Sequence, residues 1–378
     1  MAPTRRDLRT VLAVQALRAF AYGFASVVLG TSLADSGLTD AQVGLVFAAM
    51  LAGNAIVGTL VGLVGERVGR RRAYSALLVV LGLSGLAYAF SDDLIVLVAV
   101  ALAGTLSTDA NESGPITSLE QAMMGGAEPE ARARVFGRYN AVAYLAGAIG
   151  ALAGGGPAFL RDAFPSLPPE QRWLLVFTMA ALVCLFLARR LSPAVDGPSV
   201  ADHRLPLGRS RGTVIRLASL FGLDAFAGGF VVSTFIVYWF DRRFGAGAEL
   251  MGAVLFASGL LQAGSSIASG WLAGRIGLLP TMVLTHLPSN ILLMLVPAMP
   301  TLGLGIAMLL LRSTLSQMDV PARQAYVAGV VDPDERVAAA AYTNAVRTSA
   351  RPLAPLVAGA LLQGALGSST PPKAAVVD

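Results

Sequence analysis

The chain has 378 residues, of which 55% are hydrophobic and only 13% charged, with a net charge of +5 and a mean hydropathy of +0.67. A soluble domain carries about a quarter charged residues, so the composition argues against a soluble globular protein. One cysteine, Cys184, excludes an intrachain disulfide, the two histidines, His203 and His286, give no basis for a metal centre, and the arginines form no stripe interleaved with aromatics that would suit nucleic acid.

The apolar residues fall in blocks of about 20, the length of a helix that crosses a hydrocarbon core. The first block follows the basic segment "MAPTRRDLRT" and runs from Val11 to Leu33. That is longer than the apolar core of a signal peptide, about 7–15 residues, and another block follows it, so it reads as the first helix. Spans are expected at about 11–33, 41–64, 73–90, 94–118, 134–159 and 172–190. After the polar stretch "RRLSPAVDGPSVADHRLPLGRSRG" they resume at about 214–240, 249–272, 280–298, 301–325 and 337–362. Lipid admits only helices or closed barrels, and the alternating pattern of a barrel is absent, so the fold class is an all-α polytopic membrane protein. The expected units are a six-helix bundle over 1–190, a cytoplasmic linker over 191–213, a five-helix bundle over 214–362 and a polar tail over 363–378.

Positive charge in short loops sets orientation. Arg5, Arg6, Arg9, Arg67, Arg70, Arg71, Arg72, Arg132 and Arg134 fall on one side, joined by Arg189, Arg190, Arg204, Arg209 and Arg211 of the linker. The opposite loops are poor in positive charge, with Arg161, Arg172, Arg242 and Arg243 as exceptions. The N-terminus is therefore expected in the cytoplasm, and the chain in the plasma (inner) membrane.

The two groups of spans repeat one another. "LRAFAYGF" at 17–24 matches "LDAFAGGF" at 223–230 in six of eight positions. "GLVGERVGRR" from Gly62 is echoed by "GWLAGRIGLL" from Gly270, Pro115 by Pro321, and Asn140 by Asn344, all at an offset of 204–208 residues. Four echoes in one order at nearly one offset indicate two homologous halves in parallel repeat.

With these motifs the chain resembles the major facilitator superfamily, whose two six-helix halves are related by such a repeat and enclose a substrate site at the midplane. The loop from Gly62 to Arg71 is similar to the family signature between the second and third helices, with Glu66 where an Asp is usual. The resemblance implies a gating role for Gly62, Glu66, Arg67, Gly69, Arg70 and Arg71. For the second copy it implies the same for Gly270, Arg275 and Gly277, although Gly274 stands at the acidic position. It also implies twelve helices. The repeat register would start the twelfth near residue 378, so it is expected to be absent.

Charges inside the spans are costly in lipid, about 3 kcal/mol or more each, and should face the bundle interior. Arg18 and Asp224 occupy equivalent positions in the first and seventh spans and are expected to oppose each other across a shared aqueous space. Asp109, Glu112 and Glu120 lie in the fourth span, Arg312, Asp319 and Arg323 in the tenth, and Arg347 and Arg351 in the eleventh. Asn54 and Gln262 are matched polar residues in the second and eighth. Arg18, Asn54, Asp109, Glu112, Asp224, Gln262, Arg312, Asp319, Asn344 and Arg347 are the candidate cavity residues. Buried carboxylates can load and release protons, and Glu112 is the first candidate for a carrier because it precedes the Gly114–Pro115 break. His286 and Cys184 read as structural.

The function expected from the resemblance is secondary active transport of a small solute by alternating access, coupled to protons, with efflux preferred. No P-loop or catalytic constellation is present, so neither an enzyme nor a cofactor is expected. The expected partners are a small-molecule substrate, protons and the lipid bilayer, and the chain is expected to act as a monomer. Uptake of an anionic solute, or a membrane sensor with the same fold, are the alternatives.

Overall fold

The structure, a computed structural model, describes residues 4–109, 114–124, 129–196, 208–230, 232–331 and 336–366. Thr4 opens the first helix with a capping box, its hydroxyl accepting from the Asp7 backbone while the Asp7 carboxylate accepts from that of Thr4. Thr39 and Gln42 open the second in the same way. Such boxes satisfy amide donors that no carbonyl can reach. The first half contains α1 (Arg5–Asp35), α2 (Asp40–Val68), α3 (Arg70–Phe90), α4 (Leu94–Leu102), α5 (Pro115–Met124), α6 (Pro129–Gly154), α7 (Gly156–Ala163) and α8 (Leu175–Ala188). The second contains α9 (Arg211–Gly229), α10 (Ser233–Phe244), α11 (Ala248–Ile276), α12 (Leu278–Leu295), α13 (Leu302–Ser313), α14 (Asp319–Val330), α15 (Arg336–Ala350) and α16 (Leu353–Leu366).

Eight helical segments among the described residues are long and apolar enough to cross a membrane. The other three expected spans are each divided. The fourth is α4 and α5, with the described residues 103–109 between them non-helical, the tenth is α13 and α14, and the eleventh is α15 and α16, parted at Arg351–Pro352. The seventh is also parted, into α9 and α10. Pro115 sits at the first position of α5, where its missing N–H costs nothing.

The repeat is visible in backbone geometry. Gly69 between α2 and α3 and Gly277 between α11 and α12 both have φ +92°, in the left-handed region that disfavours a side chain.

Within the first half α1 packs on α6 and α3 on α8; within the second α9 packs on α15 and α12 on α13 and α14. Between the halves the main seams are α6 on α11, α2 on α16 and α1 on α10. All are tight at the end of the molecule that carries the α1–α2 turn, here the far face. A Cβ on Gly44 would lie 2.5 Å from the Pro355 carbonyl oxygen, and one on Gly252 would lie 2.6 Å from that of Ala151. Small residues allow this approach, which lets dispersion act between helices that lipid would otherwise solvate equally well. A polar latch reinforces it. The Tyr238 hydroxyl of α10 donates to the Asp40 carboxylate of α2, and Arg242 lies 3.6 Å from the same oxygen. The opposite end, the N-terminal face, gathers the start of α1, the Gly69 turn and the segment after α8. There Asp7 accepts from Ser192, and Asp196 accepts from the Arg71 backbone.

Candidate functional site

Backbone that leaves a helix inside a membrane must find partners in the protein or in a water-lined cavity. The divided spans show where those partners are. Asn54 of α2 donates to the Leu106 carbonyl, 2.9 Å, in the stretch between α4 and α5. In the second half Ser265 of α11 accepts from the Gln317 amide, 3.3 Å, and Ser269 donates to the Met318 carbonyl, 2.5 Å, in the stretch between α13 and α14. Asn54 and this serine pair therefore do the same work in the two halves. Gln262, which sequence symmetry matched with Asn54, is half-buried on α11, and no hydrogen bond joins it to the α13–α14 break among the described residues.

Three of the breaks meet between the halves. The Asp109 carboxylate, in the α4–α5 stretch, receives Arg351 Nη2 at 2.7 Å on one oxygen and the Ser233 hydroxyl at 2.9 Å on the other. Arg351 stands at the α15–α16 break, and Ser233 opens α10. Asp109 and Arg351 remain 23% and 30% exposed, so this junction borders open space rather than a sealed core. Nearby, Tyr144 of α6 donates to Gln317 across the halves at 3.0 Å.

A second ionic cluster is sealed within the first half. Arg18 is 2% exposed and Glu120 is fully buried. Arg18 Nη2 donates to Glu120 Oε2 and Gln15 Oε1, both at 2.5 Å, and to the Thr117 hydroxyl at 3.2 Å. Tyr74 and Tyr139 donate to the two Glu120 oxygens at 2.6 and 2.5 Å. Tyr22 accepts from Arg18 and donates to the Thr105 carbonyl, which ties the cluster to the α4–α5 break. Arg18 and Asp224 therefore do not form the pair expected across a shared space. Equivalent positions in a pseudo-symmetric pair share a depth, not a contact, and each residue has partners inside its own half.

The partners of Asp224 form the third cluster. Asp224 of α9 meets Arg323 Nη1 at 3.3 Å and His286 Nε2 at 2.9 Å. Asp319, the first residue of α14, meets the same Arg323 atom at 3.4 Å and His286 Nδ1 at 3.5 Å. His286, read from sequence as structural, thus bridges two carboxylates. Arg347 is half-buried on α15, and Arg312 Nε at the end of α13 is buried with no hydrogen-bond partner among the described residues. Glu112 lies outside the described residues, as do the surroundings of Gly62 and the side chains of Asn344, Glu66 and Arg67. Of the remaining loop residues, Arg70 donates to the Ala122 carbonyl at the end of α5, 3.2 Å, and Arg275 lies 4.2 Å over the Trp271 ring. Gly270 has open space around it.

Comparison with known proteins agrees with this architecture. The family model of the Major Facilitator Superfamily matches residues 11–355. An uncharacterized membrane protein of Saccharomyces cerevisiae, YJR124C, is 28% identical, over 94% of this chain and 88% of its own length. Among solved structures, the nucleoside transporter NupG superposes with a TM-score of 0.73 at 13% identity, covering 96% of this chain and 92% of that one. A D-xylose-proton symporter superposes with a TM-score of 0.66 at 14% identity, covering 93% and 89%.

Proposed function

Because the chain belongs to the Major Facilitator Superfamily, we propose that it is a secondary active transporter that moves a small organic solute by alternating access. The observation that carries this reading is the Asp109–Ser233–Arg351 junction, where breaks of the fourth, seventh and eleventh spans meet between the halves. Polar groups gathered where helices break near the midplane suit solute recognition. A pair that crosses the halves and is partly open to solvent can break and re-form as they rock. The tight seams at the far face support a conformation that opens at the N-terminal face. With the N-terminus in the cytoplasm of a plasma-membrane protein, as the arginine distribution suggests, that is the state in which an exporter loads. We take efflux coupled to proton entry as the working direction. Both halves lie in one chain, which supports a monomeric unit.

A second reading, an anionic solute, is favoured by Arg312 and Arg347. Among the described residues neither has a carboxylate within ion-pair distance, and a guanidinium cannot neutralise itself by deprotonation.

The test uses proteoliposomes and a uniformly 13C-labelled whole-cell metabolite extract as the probe, read by mass spectrometry. An imposed pH gradient should concentrate one or a few labelled species on the proton-rich side, and a protonophore should abolish it. Enrichment confined to acids favours the anionic reading. No flux of any species in either direction would overturn transport and favour a sensor.

A further inference from the structure

We propose that His286, Asp224 and Asp319 together form the proton-carrying site of this transporter, an inference that rests on the transport reading above.

Hydrogen-bonding capacity is the first reason. A neutral imidazole has one N–H and one lone pair. Here both ring nitrogens face carboxylate oxygens, Nε2 at 2.9 Å from Asp224 and Nδ1 at 3.5 Å from Asp319. The second contact is long for a hydrogen bond, yet it still sets a ring nitrogen against an acceptor. With a neutral ring and two ionised carboxylates, a lone pair would point at a lone pair on one side. One additional proton removes that conflict, either as imidazolium or as one protonated aspartate. The arrangement is therefore built around a proton that can be present or absent.

The surrounding charge fits such a role. Arg323, from the same helix as Asp319, contacts both carboxylates. With the proton in place His286 and Arg323 balance Asp224 and Asp319. When it leaves, one negative charge is uncovered. Arg347 from α15 is within electrostatic range of both aspartates, and Arg312 from α13 is within range of Asp319. The remaining neighbour of α12 with ionisable groups, α11, carries Glu249 and Arg275 only at its two ends. Loss of the proton thus shifts Asp224 and Asp319 from His286 towards Arg347 and Arg312, that is, from α12 towards α15 and α13. Proton exchange is a transfer between water and the cluster: hydronium in one open state gives its proton to the ring or to an aspartate and becomes water, and water on the opposite side takes it back. Access exists, since His286 and Asp224 are 36% and 26% exposed, while Asp319 and Arg323 are nearly sealed.

The position makes the proton consequential. Asp319 begins α14 at its break, and Asp224 lies on α9 shortly before the break that leads to Ser233. Arg347 is one turn before Arg351 on the adjoining element. The proton site therefore shares the divided seventh span with the Asp109–Ser233–Arg351 junction, and its neighbour Arg347 shares the eleventh. Proton binding can bias that junction without any contact between the proton and the solute.

Two readouts test this. The first needs no solute. The chain contains two histidines, so the full chain labelled with 15N-histidine gives two ring signals in lipid nanodiscs, and His203→Gln assigns them. His286 should carry both ring protons, or share one with an aspartate at a strongly displaced shift, at about pH 7. Asp224→Asn should convert it to an ordinary singly protonated ring. A neutral ring insensitive to Asp224→Asn and Asp319→Asn would overturn the proposal. The second readout is the labelled-extract assay. His286→Gln should reduce gradient-driven accumulation at least about tenfold, within the range of allosteric couplings, while exchange of the same species without a gradient continues. His286→Gln that accumulates solute as well as the native chain would also overturn it. If the native chain moves nothing, the transport reading fails instead, and the ring signals still report whether the site holds a proton.

Discussion

Glu120→Gln removes the carboxylate that, among the described residues, neutralises Arg18, and the structure allows its cost to be worked out. Both groups are essentially out of contact with solvent, Arg18 at 2% and Glu120 at 0% exposure, and Glu120 accepts from Arg18, Tyr74 and Tyr139 at 2.5–2.6 Å. Breaking a buried pair by removing one partner costs about 3–5 kcal/mol, because the remaining charge is left uncompensated. The amide nitrogen of Gln would add a second loss: it can only donate, so a tyrosine hydroxyl facing it loses the acceptor for its own O–H. For a unit the size of the first half, that energy corresponds to a fall in thermal midpoint on the order of 10 °C. Cys184 is the single cysteine, is fully buried, and lies 3.9 Å from the Val14 carbonyl of α1, one turn from Arg18. A thiol-reactive dye in detergent therefore reports unfolding of this region without any introduced label. Arg18→Met together with Glu120→Gln removes both charges and should recover much of the loss. A midpoint for Glu120→Gln within about 1 °C of the native chain, given the same scale, would refute the claim that this pair is sealed and ionised.

Further outcomes follow from other parts of the molecule. Gly69→Leu places a side chain at φ +92°, a conformation that costs about 1–2 kcal/mol for a non-glycine residue; membrane insertion should persist while transport in proteoliposomes falls. Gly44→Leu inserts a side chain where a Cβ alone would lie 2.5 Å from a backbone oxygen of α16; it should hold the far face open, seen as faster labelling of Ser36→Cys in a Cys184→Ala background. Asp109→Asn keeps the shape of the junction but removes its charge from Arg351 and should weaken the closed seam by roughly 1–3 kcal/mol, read by the same labelling rate.

The expected spans, the repeat and the orientation of equivalent turns could be read from the sequence, because long apolar runs and glycine spacing are one-dimensional signals. The matched φ of Gly69 and Gly277 is the physical form of an echo already present between "GERVGRR" and "GRIGLL". The helix breaks were less legible. The fourth and tenth spans read as continuous by length, although the polar runs "TLSTDANESG" (105–114) and "RSTLSQMD" (312–319) stand where the helices part. Side-chain partners were least legible, since pairing depends on how helices rotate about their axes. Gln15, Arg18 and Tyr22 share a face of α1, and Thr117 and Glu120 share a face of α5, so their spacing held a usable signal. His286 gave none: an isolated histidine in an apolar helix acquires meaning only when α9 and α14 bring Asp224 and Asp319 to its two nitrogens.

Whether the two halves exchange one sealed face for the other is tested most directly by paired distances. Spin labels at Gly37 and Gly247 report the far face, and labels at Arg72 and Arg275 report the N-terminal face, each pair in a Cys184→Ala background in nanodiscs. All four sites lie at turns or helix ends, and each pair joins the two halves. On acidification the far-face distance should lengthen as the N-terminal distance shortens, with both populations present at intermediate pH. Distances that stay fixed in both pairs, or that lengthen together, would contradict alternating access.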